Sequence, residues 1–427
     1  MFANGYSKIY HYHLKKCGGT TLNAWLDTLI PDDRLWRPDF GIFNIKDRIK
    51  GTYEEYLSFS QQAFWQGEVI HDHSPLVAYA PPDTFKFTIL RNPIDRLLSQ
   101  LKDWRRLSPE FAIQTEPILA ECMIDARRLS LREHLEKHSQ GEAIGLLDNH
   151  LVRAMAACRI GTIAFSISDV SRLFEIALQV VHEDFDFVGI AERHDLCRSY
   201  IAARLGLPPV DDIASFNVTS IDTQLSEDVG NARDILQSLT QYDEIIYREA
   251  MFLWENHYEA VARRHSMELF EQSQACTLLS NLKGGSRDGA VAFSVRQPLF
   301  GSGFHARDAA GTKHCAVWTG PVSRTILFMP VRSLQLMDIM LWVRGYADNR
   351  QREALRLIID GTPVEHRFAP AENAEEVVLA RFKPARDFVR IEILTNEPVA
   401  LPGLDDRKRG VCFDAYGWRA VSCLSST

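Results

Sequence analysis

Apolar and polar positions along the chain fall into two textures. Up to about residue 280, short apolar runs alternate with stretches of helical period. Lys8 to Leu14 and Phe85 to Leu90 read as buried strands, and Val69-Ile70 as a shorter one. Leu22, Trp25 and Leu26 share a helix face directly after the first strand. Further helices are predicted over Leu129 to Lys137, Asn149 to Cys158, Val170 to Val181 and Asp195 to Leu205, the last stopped by Gly206 and Pro208. A strand is predicted over Phe185 to Ile190, and a long helix through Ile246, Ala250, Leu253 and Trp254 that reaches past residue 265. This alternation predicts an α/β part, residues 1 to 280, built on a parallel sheet with helices on both faces. Past Asn281 only short β-type runs recur: Ala290 to Val295, Thr325 to Pro330, Ile339 to Tyr346, Leu355 to Ile359, Val377 to Phe382, Phe388 to Leu394 and Cys412 to Val421. Turns such as Asp360-Gly361 and Pro402-Gly403 separate them, which predicts an all-β sandwich or jelly roll over residues 281 to 427.

Composition adds exclusions. At 427 residues, two domains are expected. A net charge of -8 argues against general nucleic-acid binding, though not against a local basic pocket. No apolar run is long enough to span a bilayer, and the first strand starts too near Met1 to leave room for a signal peptide. The eight cysteines are scattered without Cys-x-x-Cys spacing, which points to reduced thiols and a cytoplasmic location.

The chemistry concentrates in the loop between the first strand and the first helix: Lys15, Lys16, Cys17, Gly18, Gly19, Thr20 and Thr21. First-turn amides of a helix lack internal partners and suit an anion. Gly18 and Gly19 let the backbone approach a phosphate-like group, Lys16 adds a point charge, and the threonine hydroxyls donate or cap. The common nucleotide loop places its lysine after the glycines; here the lysines precede them. An ordinary strand-to-helix turn with a capping threonine is the competing reading. His71 and His73 end the next short strand with one residue between them, a spacing that His11 and His13 repeat. One imidazole as general base, a hydrogen-bonded pair, and a four-histidine metal site are the readings this leaves open; no familiar carboxylate or cysteine spacing supports the metal. Arg91 follows the strand Phe85 to Leu90, with Asn92 and Pro93 set to open a helix and Ser99 two turns along it. Arg91 and Ser99 can clasp a second phosphate; alternatively Arg91 caps a carbonyl or pairs with Asp95. Trp104-Arg105-Arg106 is equally a substrate-anion contact or a solvated face. Trp318, Trp342, Tyr346 and Trp418 are either sugar platforms or core.

Taken together, Lys16-x-Gly18-Gly19-Thr20-Thr21 and the later Leu90-Arg91-Asn92-Pro93-x-Asp95-Arg96-Leu97-x-Ser99 resemble the sulfotransferases that use 3'-phosphoadenosine 5'-phosphosulfate (PAPS), in the carbohydrate branch related to heparan sulfate 2-O-sulfotransferases and their bacterial relatives. His71-Asp72-His73, Asn149 with Arg153, Phe185 to Glu192, Asn217-Val218-Thr219, and Asp243 with Tyr247 match further segments of that family in order, over about residues 7 to 265. Lys15 stands where the family has proline, Asn92 where it has aspartate, and no basic residue follows Thr219 closely. Gly303 to Pro321 is similar to accessory β-domains of bacterial glycan-processing enzymes. The resemblance implies a P-loop-like sulfotransferase fold. The 5'-phosphosulfate would lie on Lys15 to Thr21 and the 3'-phosphate on Arg91 and Ser99. A carbohydrate hydroxyl would be deprotonated by His73, with His71 the lesser candidate, and Lys16 would neutralise the leaving oxygen; no metal is required. A small-molecule kinase on a P-loop-like fold, and an inactive glycan-binding protein on a sulfotransferase fold, are the alternatives.

Overall fold

The computed structural model describes residues 2–31, 35–36, 69–73, 75–107, 117–139, 144–209, 229–305, 307–308, 314–401 and 407–421. The expected Asn217-Val218-Thr219 loop, Ser74 and the side chain of His71 lie outside the described residues.

The first part is a five-stranded sheet of β1 Lys8–Tyr12, β2 Leu35–Trp36, β3 Val69–Asp72, β4 Thr84–Leu90 and β5 Phe187–Ile190, in the order β2-β3-β1-β4-β5. Every pairing is parallel. The central strands are apolar on both faces, as a covered parallel sheet requires: Ile9, Tyr10, Phe85 and Phe87 are fully buried. The chain leaves β1 towards β3 and β2, then returns beyond β1 to lay down β4 and β5. Connections from β1 and β4 therefore diverge, and the crevice past their carboxyl ends is where open sheets of this type hold ligands.

The helices follow their sequence punctuation closely. α1 is Gly19–Leu26, and α2, Pro93–Arg106, opens with Pro93 in its first turn and the Asn92 side chain accepting from the Asp95 amide at 3.1 Å. α3 is Pro117–Arg128; α4, Leu131–His138, starts with a Ser130–Glu133 capping box. α5 is His150–Ile160, α6 Ser171–Glu183, and α7 His194–Leu205, ended by left-handed Gly206. α8 runs Arg233–Leu253.

One helix expectation is corrected. Instead of continuing past residue 265, α8 passes into a π-helical turn at Trp254–Tyr258, then Glu259–Arg264, and stops at His265; Ser266 caps a separate helix, Met267–Ser273. The wider turn brings both Trp254 and Tyr258 onto Phe187 of β5, with ring centroids 6.3 and 5.0 Å away.

The start of α5 is bonded to the middle of α8, whose Asp243 caps it. The Asn149 amide donates to the Leu239 carbonyl at 2.6 Å, and its Oδ1 accepts from the amides of Tyr242 and Asp243 at 2.8 and 3.2 Å. In return the Asp243 carboxylate accepts from the amides of Leu151 and Val152 at 3.1 and 2.8 Å. Arg153 is fully buried and donates to the carbonyls of Asp148, Ala164 and Ile167. Tyr247 donates to Glu192, whose other oxygen takes the Asn92 amide, both at 2.9 Å. These motif residues thus build the frame behind the β1 and β4 loops.

The second part is a β-sandwich, as the turn-separated runs predict. Its strands are β6 Gly285–Arg287, β7 Ala290–Ser294, β8 Gly301–Ser302, β9 Val317–Trp318, β10 Arg324–Pro330, β11 Met337–Tyr346, β12 Arg356–Ile359, β13 Thr362–Val364, β14 His366–Ala369, β15 Glu376–Phe382, β16 Phe388–Leu394, a small ribbon of β17 Val399–Ala400 and β18 Lys408–Arg409, and β19 Val411–Ala420. One sheet has the order β13-β12-β16-β10-β8 and the other β14-β15-β11-β19-β7-β6, with β9 added to β19. Leu327 and Ile391 of the first face Ile339, Val378 and Tyr416 of the second across the interior. Trp342 and Trp418 are core residues, their indole N–H groups donating to Asp288 and to the Pro330 carbonyl. Tyr346 donates to Glu376, and the half-buried Trp318 lies under the Arg409 guanidinium.

The two parts share one buried apolar cluster, which runs from Trp25 and Leu26 through Phe300 and Phe304 into the sandwich. Buried Arg307 donates to the carbonyls of Asp27, Thr28, Val295 and Gln297, and so holds the carboxyl end of α1 to the sandwich. The Leu299 amide adds a bond to the Thr28 carbonyl at 2.8 Å. Among the described residues, no helix is long and apolar enough to cross a membrane.

Candidate functional site

The loop from His13 to Gly18 lies at the carboxyl end of β1, beside the end of β4. Lys16 and Gly18 both adopt left-handed backbone, with φ of 66° and 82°. These two turns fold the chain back sharply into α1, whose first-turn amides have no intrahelical partner.

Three side chains from three other segments each take one loop carbonyl. His73, just past β3, bonds through Nδ1 to the His13 carbonyl. Arg91, just past β4, donates Nη1 to the Lys16 carbonyl at 3.2 Å. His194, opening α7, bonds through Nε2 to the Gly18 carbonyl at 3.1 Å. With these carbonyls engaged from outside, the polar groups the loop can offer a ligand are chiefly N–H donors, and donors gathered at a helix start select an anion.

The cations converge on the same place. Lys16 Nζ lies 3.2 Å from Asp103 on α2, with both side chains part-exposed. Burial holds the Lys15 ammonium down at about 8; Lys16 lowers it further and Asp103 opposes. Arg96 on α2 is 1% exposed, and its Nε meets no hydrogen-bond partner among the described residues. Burial lowers its pKa, while Asp243 favours its cationic form. Asp243 is itself pushed up to about 7 by burial, against the pull of the Val152 and Leu151 amides and of Arg96. Lys15, Lys16 and Arg96 together bring positive charge close to the loop, which favours an anion there.

The expected site residues divide. Lys15, Lys16, Gly18, Arg91 and His73 are brought together around the loop, and Arg91 caps the Lys16 carbonyl, one of the two alternatives left open for it. Ser99 sits half-buried on α2, and no hydrogen bond engages it among the described residues. Cys17 is buried, and burial pushes its thiol up to about 12, so only its backbone is suited to an anion. Thr20 is exposed at the second position of α1; buried Thr21 lines a small cavity with Trp25, Thr28 and Phe304, facing the sandwich, which corrects the expectation that both hydroxyls serve the loop. Gly19 makes room for a side chain: a Cβ there would fall 2.1 Å from the His13 ring. His71 pairs with His11 in strand register. Trp104 is core, Arg105 ties α2 to the Ala126 carbonyl of α3, and Arg106 is exposed and pairs with Asp103.

Three residues near the site escaped sequence reasoning as parts of it: Asn23, Asp103 and His194; His13 was noted only as one of a repeated histidine pair. Asn23 had a readable mark, since it interrupts the apolar run Leu22 to Leu26. His194 had none, because its role comes from the contact of α7 with the loop.

No family model matches the chain, and no curated protein matches it. Among solved structures, the chain is similar to a family 35 carbohydrate-binding module from Clostridium thermocellum, at 13% identity over 33% of this chain and 98% of that one, with a TM-score of 0.20. It is also similar to a cycloisomaltooligosaccharide glucanotransferase from a Paenibacillus species, at 7% identity over 58% of this chain and 37% of that one, TM-score 0.22. A third similarity is to a family GH115 4-O-methyl-alpha-glucuronidase specific for decorated arabinogalactans, at 11% identity over 96% and 51%, TM-score 0.19. Scores of this size assign neither a fold nor an activity.

Proposed function

We propose that the protein transfers a sulfo group from PAPS to a hydroxyl of a carbohydrate or glycoconjugate by in-line displacement. The observation that carries this reading is the loop itself: a helix start at the switch point of a parallel sheet, its carbonyls engaged by His73, Arg91 and His194, with Lys15, Lys16 and Arg96 around it. The 5'-phosphosulfate lies along the loop amides and Lys16, and the 3'-phosphate reaches the remaining donors of Arg91. A carbonyl oxygen only accepts, so His73 carries its proton on Nδ1 and its basic lone pair on Nε2, as a general base for the acceptor hydroxyl requires. The acceptor class rests on the motif resemblance.

Calorimetric titration with 3'-phosphoadenosine 5'-phosphate (PAP) against magnesium-ATP tests the donor, and labelled PAPS with a panel of sugars tests transfer. PAP should bind more tightly than ATP, and His73→Ala should cut transfer by about a hundredfold or more while PAP affinity stays within a few-fold. Preference for magnesium-ATP would replace this reading with a kinase. PAP binding with no transfer to any acceptor would replace it with a binding protein.

A further inference from the structure

Two imidazoles at the loop carry opposite tautomers. His73 donates Nδ1–H to the His13 carbonyl, leaving the lone pair on Nε2. His13 Nδ1 lies 3.2 Å from the Asn23 amide nitrogen, which only donates, so the His13 proton resides on Nε2. Asn23 is oriented from its other end, where Oδ1 meets Nδ1 of His11 at 2.6 Å. His11 is buried and stacks on Phe87 with centroids 4.5 Å apart, so the far end of this relay is fixed in the sheet. The His13 ring lies against the first residue of α1: a Cβ on Gly19 would sit 2.1 Å from its Cδ2 and 2.3 Å from its Nε2. The His13 and His73 rings are 4.4 Å apart.

We infer that His13 is a catalytic hydrogen-bond donor to the transferring sulfo group, and that Asn23 is the positioning residue that holds it in the Nε2–H tautomer. The inference deepens the sulfo-transfer reading and rests on it. The acceptor oxygen forms its bond to sulfur as its proton passes to His73 Nε2. The bond from sulfur to the bridging oxygen breaks, its electron pair going to the 5'-phosphate of PAP. His13 keeps its proton throughout and stabilises a sulfo oxygen as charge redistributes, and His73 afterwards releases its proton to water. One imidazole accepts and its neighbour donates, a division that needs two fixed tautomers and no exchange between them.

Long-range proton–nitrogen spectra of the full chain labelled at histidine nitrogens read the tautomers directly, with His13→Gln and His73→Gln assigning the peaks. At a pH where both rings are neutral, His13 should show the Nε2–H pattern and His73 the Nδ1–H pattern. Asn23→Asp, which only accepts, should move His13 to Nδ1–H. In calorimetry, His13→Ala should weaken PAPS binding tenfold or more and leave PAP, which lacks the sulfo group, within a few-fold. His13→Gln, which restores an N–H donor, should recover most of the loss. An Nδ1–H pattern for His13 in the wild type, or equal weakening of PAP and PAPS, overturns the inference while leaving sulfo transfer standing. Failure of both nucleotides to bind the wild type removes the transfer reading and this inference with it.

Discussion

Lys15 is the residue whose protonation an anion should change. Burial holds its ammonium at about 8, well below the ordinary lysine range. A bound phosphate favours the charged form and raises that value. At roughly pH 8.5 most Lys15 is neutral in the free protein, so PAP binding should take up most of one proton; at roughly pH 6.5 it is already charged and contributes no uptake. Binding enthalpies in buffers of high and low ionisation enthalpy measure this, and Lys15→Met should abolish it. Equal enthalpies at the higher pH would show that the anion lies elsewhere. The residue types of the loop were legible because lysine, glycine and a helix start announce anion chemistry wherever they meet. The pairing of His13 with Asn23 was not, because it depends on how a ring folds over Gly19 across the strand-to-helix turn. Thr21 shows the reverse error: its type suits the loop, but the sandwich claims its face of α1.

Among the elements, the contact between the start of α5 and the middle of α8 carries the clearest stability prediction. Asn149→Ala removes the side-chain oxygen that the amides of Tyr242 and Asp243 share in the middle of α8. A lost hydrogen bond is worth about 0.5–1.5 kcal/mol net, so the variant should lose about 1 kcal/mol. The loss should appear as a lower urea midpoint with an unchanged slope. A midpoint within error of the wild type would mean that water replaces the amide oxygen at no cost. Helix starts and stops at Asn92-Pro93, Ser130 and Gly206 were readable, since caps are local chemistry. The π-helical turn was not: nothing in Trp254 to Tyr258 announces it, and it exists because two aromatics must reach the same ring on β5.

At the scale of the whole molecule, the α/β and β textures were plain in the sequence because helical and strand periods differ. The seam between them was not, because it is made by contacts across hundreds of residues. Arg307 spends its donors on four carbonyls from both sides of that seam. Arg307→Met keeps the aliphatic stem and loses those bonds. With charged-group hydrogen bonds worth about 1.5–3 kcal/mol each, it should split one calorimetric transition into two or lower its midpoint by many degrees. A single transition at the original temperature would show that apolar contact alone joins the parts.

The seam also decides what can be cut from what. A fragment ending near residue 280 would bare the flank of α1 where Trp25 and Thr28 now meet Phe304, and would strand the carbonyls that Arg307 grips. Such a fragment would carry an oily wound beside the His13 to Gly18 loop and would stick to its copies. The sandwich is no bead on a string: grafting it to another protein would need a host helix with a matching flank.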